Sequence, residues 1–437
     1  MRDLAALIAP PAAMPPPGAA TPPGAPRRSR RSVLVGLGPV GLVAIVIAVL
    51  LAACVPPQSG ATPTAIVVVV TGSPAAGSPK AGTPTVEPSA QPTGAPTHGP
   101  AGFSATGSMT TGRKVHTATS LSDGRVLVTG GENGSNVIVA SAEVYDPATG
   151  KFSPTGSMAH GRYGATATPL PGGRVLIVGG MDDSDHYLAS AEVYDPETGQ
   201  FTPTGSLAQG RHGHTATMLP KGQVLIAGGL AQSGKLASAE LYDTTAGTFS
   251  PTGSMSQART GHTSTDLFGG RVLILGGWSG EAGIASAEVY DAMSSTWSPF
   301  GPMMVARDGH RATVLPDGLI LITGGTSDVA RSAELYDPLS GRPGATGPMS
   351  IARFSQTVTM LPNGLALVVG GSDGPGAGLA STELYDPATG AFSAGPSMIH
   401  ARSSHTATVL ADGRILIVGG QDRAISTVYA SAELYQP

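Results

Sequence analysis

Along residues 113–437 one pattern of apolar and polar positions keeps returning. A run such as Arg-Val-Leu-Ile-Val-Gly-Gly (174–180) is apolar without alternation, so a strand there needs cover on both faces. The segment Ala-Ser-Ala-Glu-Val-Tyr-Asp (189–195) alternates instead. It puts Ala191, Val193 and Asp195 on one face and Glu192 and Tyr194 on the other. A segment like 211–219 precedes the apolar run, and an aromatic segment like 201–207 follows the alternating one. Each unit therefore predicts four short strands. Asp123-Gly124, Asp317-Gly318, Asn363-Gly364 and Asp412-Gly413 supply tight hairpin turns between the first two. A Pro-x-Thr-Gly turn closes the third.

The period is near 50 residues. Double glycines fall at 130–131, 179–180, 228–229, 276–277, 324–325, 370–371 and 419–420. A tyrosine follows each pair: Tyr145, Tyr194, Tyr242, Tyr290, Tyr336, Tyr385 and Tyr435. Seven residues further on come Phe152, Phe201, Phe249 and Trp297; Pro343 breaks the series and Phe392 resumes it. Composition agrees, with 62 Gly, 38 Pro and only 12% charged residues, which favours turns and strands over helices.

This period, with its double glycine, tyrosine and later aromatic, resembles the kelch repeat over residues 101–437. The resemblance implies an all-β fold: a seven-bladed β-propeller with one four-stranded antiparallel sheet per blade. The last unit stops after Tyr435 without its fourth strand, and a spare copy of that strand, about 102–109, precedes the first unit. Phe103 holds the aromatic position missing after Tyr435. The N-terminal strand is therefore expected to complete the last blade and close the ring, which removes two open sheet edges.

The first hundred residues read differently. Residues 1–53 form a targeting segment, with Arg27, Arg28, Arg30 and Arg31 ahead of about twenty apolar residues. Leu51-Ala52-Ala53-Cys54 resembles a bacterial lipobox, which implies a lipid on Cys54, and Arg30 and Arg31 resemble a twin-arginine export signal. An uncleaved transmembrane anchor is the alternative, and Met14 is an alternative start. Either way the remainder is expected on the outer side of the cytoplasmic membrane, in a bacterial cell envelope. Residues 54–100, rich in Pro, Thr, Ser and Gly, are expected to be a disordered tether. Ile66, Val67, Val68, Val69 and Val70 form an apolar exception whose role stays open.

Removing residues 1–53 leaves 20 basic against 28 acidic side chains, a net −8 that argues against nucleic acid as a partner. Two charged columns recur. Arg113, Arg162, Arg211, Arg259, Arg307, Arg353 and Arg402 open the first strands, and Glu143, Glu192, Glu240, Glu288, Glu334, Glu383 and Glu433 precede the tyrosines. Seven copies suit a repeated structural contact rather than one active site. His116, His214, His262, His310 and His405 stand three residues after their arginines. Spread around a ring they suit strand packing, and no metal or cofactor site is expected.

Function is expected on the loops between the second and third strands, which differ between units. The side chains after the repeated arginines (Lys114, Tyr163, His212, Thr260, Asp308, Phe354, Ser403) are expected at the channel mouth on the same rim. Asp182, Asp183, Asp185, Tyr187, Trp278, Asp422 and Arg423 are the candidate contact residues, with Tyr187 and Trp278 expected to be exposed. Asp328 and Asp373 lie on other loops of the rim. The leading expectation is a non-enzymatic module that binds a protein or a cell-surface glycan. A carbohydrate-active enzyme is the alternative, and a pure scaffold is a third. The resemblance to galactose-oxidase-type propellers also implies a test: those enzymes need a cysteine cross-linked to a tyrosine, and residues 101–437 contain no cysteine. Sialidase-type chemistry would need an arginine triad distinct from the repeats, and none stands out.

Overall fold

The computed structural model describes residues 101–326, 329–374 and 377–437. Arg30, Arg31, Cys54, the whole 1–100 stretch with its apolar 66–70 run, and Asp328 lie outside the described residues.

Among the described residues there are seven four-stranded antiparallel sheets and no α-helix. In blades 1 to 6 strands a to d run outward in chain order, as in blade 3: Thr215–Leu219, Gln223–Ala227, Ala239–Asp243 and Thr248–Pro251. The inner strands pack against one another from blade to blade, and the first meets the last, so the sheets stand around a central channel.

The apolar b strands are buried throughout, as at Val175–Val178. Their side chains alternate between two inter-blade cores. Leu176 and Val178 join Val224, Ile226 and Tyr242 of the next blade, while Val175 and Ile177 join Leu127 and Val144 of the previous one. Each fully buried side chain of this size contributes about 1.5–3 kcal/mol. The double glycine ends strand b because the chain there must turn with positive φ, 63° at Gly228 and 100° at Gly229. A Cβ on Gly228 would lie 2.7 Å from the carbonyl of Arg259 in the next blade.

Blade 7 takes its outer strand from the start of the domain. Gly102–Ser108 pairs with Ser431–Gln436, with Phe103 opposite Tyr435. Their rings lie 5.0 Å apart, matching 4.9 Å for Tyr145 and Phe152 within blade 1. The ring closes as its missing strand required.

Two features depart from expectation. The arginines do not open the inner strands: in blade 3 the strand begins at Thr215, and residues 211–214 pass through a left-handed Gly213 before it. Blade 5 also repairs its own irregularity. Where Pro343 replaces the outer aromatic, Phe300 from the end of blade 4 packs on Tyr336 at 6.4 Å. The Tyr336 hydroxyl donates to the Gly301 carbonyl, whereas Tyr145, Tyr194, Tyr242, Tyr290 and Tyr385 each bond a threonine hydroxyl.

Candidate binding rim and central channel

The repeated arginines and glutamates form a buried brace in every blade. The seven Arg–Glu pairs approach to 2.7–3.2 Å, with both side chains almost fully buried. Each Nη1 donates to the carbonyl of the first glycine of the pair, for example Arg211 to Gly228 at 3.1 Å. The second glutamate oxygen accepts a backbone N–H from the segment entering the blade, such as Ala208 on Glu240 at 2.9 Å. Burial lowers the Arg211 pKa, and Glu240 opposes that shift. Both Nη groups of each of these arginines find acceptors or a glutamate, the condition under which a buried ion is tolerated, although the Nε of Arg113, Arg162 and Arg402 is buried without a partner.

The histidines stitch neighbouring blades together. His214 Nε2 lies 2.9 Å from Thr166 Oγ1, and the same contact recurs for His262–Thr215, His310–Thr263, His405–Thr357 and His116–Thr406. Burial brings His116, His262 and His310 down to about 3, and the adjacent arginine pushes the same way. His214 and His405 are also held well below the ordinary value, mainly by burial. All five are neutral rings at neutral pH.

A second stitch is made by backbone alone. Residues two after each arginine (Val115, Gly164, Gly213, Gly261, Gly309, Ser355 and Ser404) all have positive φ, between 52° and 64°. They are linked head to tail: Gly164 donates to Val115, Gly213 to Gly164, Gly261 to Gly213, Gly309 to Gly261, Ser404 to Ser355 and Val115 to Ser404. These six bonds form a circle, open only between Gly309 and Ser355, around the axis where the inner segments enter. Beside it, the residues that follow the arginines bridge to the residues after the double glycines, as in Lys114 with Glu132, His212 with Leu230 and Thr260 with Trp278. These bridges seat the b–c loops on the blades.

The candidate rim residues are more committed than the sequence indicated. Asp182 caps its own loop, accepting from the Ser184 and His186 amides at 2.8 and 3.0 Å. Asp183 accepts the Ile138 amide of blade 1 at 2.5 Å, and Asp422 of blade 7 accepts the Gly378 amide of blade 6 at 3.2 Å. The acids are therefore loop and seam fasteners, not a free cluster. Asp185 holds the left-handed corner of the same loop with φ 58°. Tyr187 is half-buried and stacks on His212 at 5.1 Å and 9°. Trp278 is half-buried rather than exposed, because its backbone bridges both Thr260 and Gly283. Arg423, next to Asp422, is half-buried too. On the opposite face a cleft of about 490 Å³ is lined by Asp123, Arg125, Arg174, Asp195 and Glu197, with Arg125 and Asp123 paired at 2.6 Å.

Comparison with known families matches the Kelch motif over residues 113–159, 162–208, 259–304 and 354–399. The chain carries kelch motifs in a seven-bladed β-propeller. Among solved structures it is similar to a novel fungal alcohol oxidase with catalytic diversity among the AA5 family, in complex with copper. That likeness has a TM-score of 0.62 at 20% identity, covering 78% of this chain and 76% of the oxidase. At that identity it shows the fold alone. No curated protein matches the chain.

The side chains of this kelch propeller do not fit a copper centre of that kind. Each of the five buried histidines has an unpartnered Nδ1, but the rings belong to different blades. Among the described residues no three His, Cys, Asp or Glu side chains converge as metal ligands must. Sequence reasoning also passed over one residue. The column that reads Thr117, Thr166, Thr215, Thr263, Thr357 and Thr406 reads Arg311 in blade 5. One cation in a column of threonines was the available signal.

Proposed function

We propose that this kelch propeller is a non-catalytic binding module, tethered outside the cytoplasmic membrane, whose b–c loop rim docks a protein or a cell-surface glycan. One observation carries the reading. The charged residues that repeat are consumed by the scaffold, while the side chains that differ from blade to blade sit on the loops. Tyr187 and Trp278 offer partly open aromatic faces, which suit sugar rings or apolar protein side chains. The net charge of −8 beyond residue 53 favours a neutral or basic partner. Tethering rests on Cys54, Arg30 and Arg31.

A glycan array and a pull-down with the full chain test the binding reading. Trp278→Ala and Tyr187→Ala are expected to weaken the captured interaction at least tenfold. Unchanged binding in both variants removes the rim from the account. Cys54→Ser is expected to move the protein from the membrane to the soluble fraction, and retention in the membrane fraction would contradict the lipid anchor.

A further inference from the structure

The Arg311 side chain stands where the stitching of the propeller changes. In five seams a threonine hydroxyl of strand a meets a histidine of the next blade. Between blades 5 and 6 both partners are replaced, by Arg311 and Gln356. Gln356 is fully buried, and its amide turns back to the Thr323 carbonyl at 3.2 Å. Arg311 reaches across the seam, and its Nε donates to the Gln356 carbonyl at 2.9 Å.

That bond holds the guanidinium through Nε and uses neither Nη1 nor Nη2. Among the described residues no carboxylate pairs with Arg311, and neither Nη is given a hydrogen-bond acceptor. The seven scaffold arginines are the opposite case, with Nη1 and a glutamate contact satisfied in each. The side chain is exposed, yet desolvation by the surrounding protein still holds its pKa below the ordinary arginine value. Arg311 opens the innermost strand of blade 5, which packs against the inner strands of blades 4 and 6, so an exposed side chain there stands on the wall of the channel. Its titratable neighbours, His310 and His405, are neutral rings that supply no competing cation.

Two further seam bonds are lost at the same place. The second glycine of each pair donates to the next arginine carbonyl in six seams, but Gly325 does not so bond Arg353. The backbone circle likewise has no link between Ser355 and Gly309. The regular stitching gives way next to an arginine fork held through its Nε.

We propose that the channel wall at the seam of blades 5 and 6 is a binding site for a small organic carboxylate, gripped through both oxygens by Nη1 and Nη2 of Arg311. The planar fork matches the two oxygens of a carboxylate. A single fixed cation offsets one negative charge, so a monoanion fits better than a phosphate or sulfate dianion. The site is independent of the rim reading, since it involves neither Tyr187 nor Trp278.

Acetate is the probe, titrated into the full chain at low ionic strength by calorimetry, with inorganic sulfate in a parallel arm. Saturable acetate binding of about millimolar strength is expected, weakened at least tenfold in Arg311→Thr and partly kept in Arg311→Lys. Threonine is what the other six blades carry in this column, so the Arg311→Thr variant should fold; circular dichroism checks this. Should it not fold, protection of Arg311 from phenylglyoxal by acetate, read by peptide mass, decides on the native chain. No saturable binding, equal binding by the threonine variant, or no protection overturns the site. Sulfate binding as tightly as acetate through Arg311 overturns the carboxylate assignment.

Discussion

The seam between blades 5 and 6 and the seam between blades 2 and 3 do the same mechanical task with different bonds. At the regular seam, His214 meets Thr166, Gly180 donates to the Arg211 carbonyl, and Gly213 donates to Gly164. At the other seam none of the three equivalents is made, and Arg311 donates to the Gln356 carbonyl instead. Both seams keep the Arg–Glu brace inside each blade. The brace is therefore the invariant of the fold, and the inter-blade stitches are where one blade can diverge. A divergence that exposes a cation in place of a hydroxyl contributes nothing obvious to packing, which is why it draws attention as chemistry.

The sharpest break between the two kinds of arginine should appear in stability. Arg211→Ala leaves Glu240 buried without its partner and is expected to cost about 3–5 kcal/mol in urea unfolding. Arg311→Thr should cost less than about 1 kcal/mol, because it removes an exposed charge and one bond to a carbonyl. Equal costs would mean that Arg311 is a scaffold residue like the rest.

Acid should separate the histidine seams from the glutamine seam. Folded His116, His262 and His310 titrate at about 3, against about 6.5 when unfolded. Between those values the unfolded chain binds protons that the folded chain refuses, so stability falls as pH drops below about 6.5. The loss is about 1.4 kcal/mol per pH unit for each such histidine, and it vanishes above that range. His262→Gln, which copies the natural residue of blade 6, should remove one share of the slope. Unfolding curves at pH 7, 6 and 5 check it, and an unchanged slope would show that these rings are not what acid attacks.

The smallest effect is a repair. Arg311→Thr combined with Gln356→His rebuilds the recurring pair and should recover about 1 kcal/mol relative to Arg311→Thr alone. No gain would indicate that the backbone at this seam no longer places the two side chains within reach.

Much of the architecture could be read from the letters, and the reason is periodicity. The double glycines, the tyrosines and the aromatics recur because each must meet the same neighbour in the next sheet, so Phe103 could be assigned to Tyr435 across the whole length of the domain. What stayed hidden lies in the backbone. The carbonyls that take the arginine donors and the amides that occupy Asp182, Asp183 and Asp422 have no letter of their own. The acids therefore looked free. Phe300 was hidden for a different reason: it fills the place left by Pro343 from the neighbouring blade, outside the column where an aromatic is sought. Arg311 was visible but was lost among the many periodic arginines.

Everything above depends on a ring of seven sheets closed by its own first strand, and a cross-link tests that directly. Gly102 faces Gln436 in the closing pair. In a Cys54→Ser background, Gly102→Cys with Gln436→Cys should oxidise to an intramolecular disulfide, giving a monomer that runs faster on non-reducing gels and loses two hydrogens by mass. Free thiols under the same oxidation, or disulfide-linked dimers alone, would contradict the closed ring.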